Sequence, residues 1–210
     1  MRQRTASSAD KTAIPSDLPD LPCRIREFLQ FAKETVCIPK ALPISVPVPG
    51  GAAALLMAVN IGLSSFGIPV PGGHLYFCDI AVVAAALLLD PAAAFIVGGV
   101  GSFLGDFFFY PVTMFVSLFV HGFQAALISW FIRHVLTGRP KLSAFLGIAL
   151  GAVLMIVGYS LARAYIYSTP AYAWIKLPYE ILQGVMGSAI GAFLVWKWKL
   201  RDLLRDILEK

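Results

Sequence analysis

The 210-residue chain is 58% hydrophobic and 14% charged, with a mean hydropathy of +0.76 and a formal net charge of +5. Soluble domains carry about 25% charged residues, whereas here no Lys or Arg lies between Pro49 and Arg133, and the acids there are Asp79, Asp90 and Asp106. So long an apolar stretch excludes a soluble fold of this size and defines an integral membrane protein.

In chain order, Met1 to Pro22 is rich in Ser, Thr, Asp and Pro, a composition that predicts disorder. Ile25, Phe28, Leu29, Ala32 and Val36 then recur at helical spacing between charges, which predicts a short amphipathic helix over about 24–36. The prolines of Ile38–Gly51 break regular structure. Residues 1–50 therefore read as a cytoplasmic tail. Its first apolar run comes too late for a cleaved signal peptide.

Residues 51–198 hold six apolar segments: Gly51–Phe66, Phe77–Leu89, Ala92–Phe109, Val112–Ile132, Leu142–Tyr165 and Pro178–Trp198. The second is short against the 20 or so residues of a usual span. Residues 199–210 predict an amphipathic helix along the inner membrane surface, with Leu200, Leu203, Leu204, Ile207 and Leu208 on its apolar face. Basic residues gather in the tail, in Arg133–Lys141 and at the C-terminus; only Arg163 and Lys176 fall elsewhere. That bias predicts an all-α bundle of six transmembrane helices with both termini cytoplasmic. It also excludes a nucleic-acid partner, because the charges flank spans instead of forming a patch. Cys23, Cys37 and Cys78 lack metal-ligand spacing or a disulfide framework, and nothing in the pattern calls for a metal or cofactor.

The stretch GGVGSFLGDFFFYP, Gly98 to Pro111, lacks the Lys-Ser/Thr pair of a phosphate loop. Gly98, Gly101, Ser102 and Gly105 instead share one helical face, a small-residue stripe that lets helices approach closely. Glu180, Gln183, Gly184, Gly187 and Gly191 do the same in the sixth segment, Ser117, His121 and Gln124 align in the fourth, and Tyr159 and Arg163 are one turn apart in the fifth. Polar groups inside spans are costly and face the bundle interior or a wet cavity. Asp106, Arg163 and Glu180 map to the outer half, which predicts a polar cavity opening outward. Simpler roles stay open: Arg163 suits snorkelling to headgroups, His121 an interhelical hydrogen bond, and Glu180 a pair with Arg163 or Lys176. Asp79 suits an N-cap, and Tyr165, Tyr167, Tyr172 and Trp174 suit an interface belt.

Five motifs in order carry a resemblance: the Pro-Gly-Gly loop before Asp79, LLLDP, GGVGSFLGD…YP, FVHGFQAALISW and LPYEILQGVMGSAIGAFL. Over about Ala52–Trp196 the chain resembles the substrate-binding S components of energy-coupling-factor (ECF) vitamin transporters, of the group covering riboflavin, pyridoxine and hydroxymethylpyrimidine carriers. The resemblance implies a multi-pass protein of a bacterial or archaeal cytoplasmic membrane that binds a vitamin near the extracellular face. It also implies a transmembrane coupling subunit and two ATPase subunits as partners. Its Ala-x-x-x-Ala pair would be Ala54 and Ala58, packing against the coupling subunit. The expected substrate-binding residues are Asp79, Asp106, His121, Gln124, Tyr159, Arg163, Glu180 and Gln183, beneath a loop at Val70–Tyr76. Two other functions are weighed against this one. An intramembrane hydrolase would use Ser102 and His121, although no Gly-x-Ser-x-Gly elbow is present. A membrane scaffold would transport nothing.

Overall fold

The computed structural model describes residues 50–208. The predicted tail, its amphipathic helix and Cys23 and Cys37 lie outside the described residues. Helix α1 spans Gly50–Ser64, and an antiparallel hairpin of β1 (Ile68–Val70) and β2 (Gly73–Leu75) follows. Helix α2 is Cys78–Leu88, α3 is Pro91–Phe109, α4 is Met114–His134, and α5 is Pro140–Tyr167. Helix α6 is Pro170–Trp196 and α7 is Leu200–Leu208. Among the described residues, four helices (α3, α5, α6, and α4 with its preceding turn) are long and apolar enough to cross a membrane, while α1 and α2 are shorter.

Local chemistry sets the element boundaries. Asp90 caps α3 by accepting from Ala92 N–H at 3.0 Å and Ala93 N–H at 3.1 Å, with Pro91 in the first turn, where its missing donor costs nothing. The hairpin turns at Pro71-Gly72: proline presets the first central position, and Gly72 takes the positive φ of 84° required at the second. This hairpin lies in a loop with no strand expectation attached, so the fold is helical with one small sheet. A two-residue turn and three-residue strands are too short to leave an alternating pattern.

The sixth segment starts earlier than expected, at Pro170 and not Pro178. Thr169 accepts from Tyr172 N–H to cap it, and Pro170 occupies the first turn. Pro178 then sits inside the helix, where it withholds a donor from the Trp174 carbonyl without ending the helix. The stretch between the fifth and sixth expected segments is thereby divided between a π-helical turn at Arg163–Tyr167 and the start of α6.

Helix α2 runs through the middle of the bundle against α1, α4 and α6, and ten of its eleven residues are buried. Its shortness is explained by that position: a helix apolar on all sides and enclosed by others has no lipid to match. From Val82 onward it joins Leu56, Val97, Ile128 and Ile148 in one apolar core. Leu204 of α7 is buried in that core and Leu200 packs against it, while Leu203 is exposed. The C-terminal helix therefore turns part of its apolar face to the bundle, a correction to the lipid-facing expectation. Around the outside, Phe107, Phe115, Phe119, Phe123, Val153, Leu161 and Val185 are exposed, the surface of a protein solvated by lipid.

The glycine stripe of α3 permits close packing but is divided: Gly98 lies against His121 and Ala125 of α4, while Gly101 and Gly105 face α1. A Cβ on Gly105 would lie 2.5 Å from Ser64 Cβ, and one on Gly101 would lie 2.6 Å from Asn60 Nδ2, both on α1. Close to this contact α3 widens into a π-helical turn at Ile96–Val100, and Asn60 donates to the carbonyls of Val97 at 2.9 Å and Gly98 at 3.4 Å. The amide satisfies backbone that the wider turn takes out of the α ladder. Gly105→Leu should destabilise the protein by about 1–3 kcal/mol through overpacking. Gly62→Leu, at a position with nothing within 4 Å, should leave the melting temperature in detergent unchanged.

Candidate functional site

At the end of the bundle that carries the hairpin, the apolar core gives way to buried polar side chains: Asp79, Asp106, Ser117, His121, Gln124, Lys176, Glu180 and Gln183. In the first turn of α2, both oxygens of the Asp79 carboxylate accept amide bonds. Gln124 Nε2 of α4 donates at 3.2 Å and Gln183 Nε2 of α6 at 2.7 Å. An ionised carboxylate only accepts, so these bonds fix both amides. The carbonyl end of Gln183 accepts the Tyr76 backbone N–H at 3.0 Å, and that of Gln124 faces His121 Nδ1 at 2.8 Å. His121 therefore carries its proton on Nδ1, and its Nε2 lone pair turns to Cys78 Sγ, 3.7 Å away.

A second relay converges on Asp106 at the end of α3. Thr113 and Ser117 donate to its Oδ2 at 2.6 and 2.5 Å, and Tyr159 of α5 is 2.5 Å from the Ser117 hydroxyl. Because Ser117 spends its only hydrogen on Asp106, Tyr159 donates to Ser117 and keeps an acceptor lone pair free. Near the hairpin, Arg163 donates to the Gly72 carbonyl at 2.7 Å and to Glu180 at 3.3 Å, while Lys176 reaches the same Glu180 oxygen at 3.1 Å.

These groups surround a cavity of about 360 Å³. Its walls include His74 and Tyr76 from the hairpin and the residues after it, Tyr110 and Thr113 after α3, and Ser102, Asp106, His121, Tyr159, Arg163, Tyr167, Lys176, Glu180 and Gln183 from the helices. His74, Tyr76 and Tyr110 form an aromatic wall, with ring centroids 4.9 Å (His74 to Tyr110) and 5.0 Å (Tyr76 to Tyr110) apart. Burial, with the Asp106 carboxylate nearby, pushes the Tyr76 phenol well above its ordinary pKa, so it is a neutral group at physiological pH. A second hollow of about 480 Å³, between Phe119, Phe123, Leu150 and Val157, is open and apolar, and faces the lipid side.

Six of the eight expected binding residues line the cavity: Asp106, His121, Tyr159, Arg163, Glu180 and Gln183. Asp79 and Gln124 lie behind the wall and hold His121 and Gln183 in place. Asp79 does not cap α2, since Phe77 occupies the cap position and no side-chain cap bond forms. Arg163 does not simply snorkel, because its guanidinium is committed to Gly72 and Glu180. Of the proposed aromatic belt, Tyr165, Tyr172 and Trp174 are exposed, but Tyr167 turns inward to the cavity beneath Arg163. Ala54 and Ala58 are exposed on the outer face of α1. Cys78, Asp79 and His121 offer three ligand atoms within 4.8 Å of one another, and these are the described residues that could hold a cation. The carboxylate of that set is already bonded to two amides. Ser102 bonds to Asn60, and among the described residues no hydrogen bond joins it to His121, so the hydrolase pair is not assembled.

Sequence reasoning missed Tyr110 and Asn60; it placed His74 and Tyr76 within the covering loop without assigning either a role, and it offered Lys176 as a partner of Glu180, a pair that forms at 3.1 Å. Lys176 carried a usable signal, since Lys176 and Glu180 stand one turn apart in a span. The aromatic wall carried none, as its rings come from segments that only the hairpin brings together.

A partly open cavity with charged and aromatic side chains in its wall, at one end of a lipid-facing helical bundle, is the architecture of a membrane solute-binding protein. Residues 51–200 match the family of the ECF-type riboflavin transporter S component, and the chain belongs to it. It is 33% identical over 154 residues to an uncharacterized protein in the gap 3' region of Pyrococcus woesei, an alignment covering 72% of this chain and all of the relative. Its fold is that of a solved S component of a bacterial ECF transporter, with a TM-score of 0.55 at 21% identity over 72% of this chain and 94% of that one. The protein is thus a multi-pass membrane subunit of an ECF-type transporter.

Asp79→Asn tests the network behind the cavity. The new amide must point its N–H₂ at another amide donor, so one buried bond is lost, at about 1–3 kcal/mol. The melting temperature should fall accordingly; an unchanged value would show that the carboxylate does not organise the site.

Proposed function

We propose that this chain captures a small water-soluble vitamin or vitamin precursor, of the riboflavin, pyridoxine or hydroxymethylpyrimidine class, in the cavity beneath the hairpin. The cavity opens to the extracellular face, six helices cross the membrane and both termini are cytoplasmic. The observation that carries this reading is the cavity itself: Asp106, His121, Tyr159, Arg163, Glu180 and Gln183 converge on one space from four helices. Its volume of about 360 Å³ lies within the range of small-molecule sites, about 300–1,000 Å³. The distribution of Lys and Arg supports the orientation, because Arg163 and Lys176 are the two that sit at the hairpin end.

In this reading the aromatic wall stacks on the ring of the ligand. Tyr159 and His121 Nε2 accept hydrogen bonds, and Asp106 accepts from a ligand N–H or O–H. The hairpin closes over the ligand, held by Arg163 to Gly72 and by Tyr76 to Gln183. A transmembrane coupling subunit and two ATPase subunits supply the energy. Ala54 and Ala58, exposed one turn apart on α1, offer a flat patch on which a helix of the coupling subunit packs.

Mass spectrometry of small molecules released from the purified, detergent-solubilised protein should find a stoichiometric vitamin-like heterocycle. An empty protein with no thermal shift across a vitamin panel would favour a scaffold. Asp106→Asn and Tyr159→Phe should each weaken binding by about tenfold, the loss of one charge-assisted or buried hydrogen bond. Ala58→Trp should abolish uptake in cells with ligand affinity intact; unchanged uptake would remove α1 from the coupling surface.

A further inference from the structure

The charged groups lining the cavity form two sets of opposite character, with no ion pair between Asp106 and either cation among the described residues. In one set, Arg163 and Lys176 converge on a single oxygen, Glu180 Oε1. The two cations share one carboxylate oxygen, with the next carboxylate, Asp79, already bonded to two amides, at a place where Lys176 is 1% exposed and Glu180 2%. The donor count agrees. Lys176 uses one of its three N–H groups, and the Arg163 Nε and the Tyr167 hydroxyl beside it are buried with no partner among the described residues.

The other set presents acceptors. Asp106 takes two hydroxyl donors on Oδ2, and among the described residues no bond reaches Oδ1. Tyr159 has an open lone pair, as does His121 Nε2 apart from its contact with the Cys78 thiol. No ion pair joins Asp106 to Arg163 or Lys176 among the described residues, although all three line the same cavity. One set thus keeps spare donors and the other spare acceptors, and a ligand can use both at once.

We propose that the cavity selects a dipolar ring compound whose anionic group, a carboxylate or a phosphate monoester, docks on Arg163 and Lys176 while its N–H or O–H donors face Asp106. This rests on the substrate-capture reading above and narrows it. The volume of about 360 Å³, near the lower end of ligand sites, limits the compound to one or a few fused rings. Arg163 also ties the hairpin through the Gly72 carbonyl, so an anion bound there bridges the ligand to the element that covers it.

The test compares matched neutral and anionic compounds by calorimetry on the full chain in detergent: nicotinamide with nicotinate, pyridoxal with pyridoxal 5′-phosphate, and riboflavin with flavin mononucleotide. In any pair that binds, the anionic member should bind about tenfold tighter or more, as expected for a charge-assisted contact in a desolvated site. The first pair tests a carboxylate and the other two a phosphate. Lys176→Met should erase the preference and Lys176→Arg should keep it. The wild-type comparison stands whatever Lys176→Met does to folding. A neutral member that binds as tightly as its anionic partner overturns the anion clamp and leaves the capture reading intact. Failure of every compound, and of hydroxymethylpyrimidine and its phosphate, to bind a protein that still melts cooperatively overturns both.

Discussion

A carboxylate enclosed by apolar helices must be met by hydrogen-bond donors, and the arrangement around Asp79 organises much of what surrounds it. Its two oxygens draw one amide from α4 and one from α6. Since a carboxylate can only accept, each amide is fixed in direction, and its far end is fixed with it. One carbonyl holds the backbone where the hairpin returns to α2, and the other sets the proton of His121. A single buried charge in the first turn of a central helix thereby positions a covering element and a cavity side chain. The alternative partner, water, is absent from a hydrocarbon environment, which makes each of these bonds harder to exchange than in a soluble protein.

Close helix packing is what makes that arrangement possible. Gly187 of α6 lies directly against Asp79, where a side chain of any size would collide with the carboxylate's own Cβ. On the other side of the bundle Gly101 and Gly105 let α3 lie on α1 at Asn60 and Ser64. In lipid there is little hydrophobic gain in bringing helices together, so van der Waals contact and interhelical hydrogen bonds must supply the association. Small residues and buried amides occur side by side here for that reason.

The bundle is divided along its length. One end is a dense apolar core around Val82, Val97, Ile128 and Ile148, and the other is a cavity with charged and aromatic walls, lined from five helices and by the hairpin. The division suits a transporter subunit: the rigid part anchors the helices, and the polar part is free to be shaped to a solute.

By itself the sequence determined the solvent this protein lives in and the general plan of its helices. An apolar run without cations is incompatible with water, and glycine stripes and intramembrane polar residues point inward at helical period. Asp106, His121, Tyr159, Arg163, Glu180 and Gln183 were legible as cavity residues on that basis, because a polar group in a span has few other places to go. Tertiary structure alone decided which of them touch and which stand behind. Asp79 proved to be a strut because its partners are 45 and 104 residues away, beyond any local pattern. The hairpin, the aromatic wall of His74, Tyr76 and Tyr110, and the burial of Lys176 were likewise hidden. Each depends on a path of the chain after a turn or through Pro178, and helical periodicity carries no information about where the chain goes between helices.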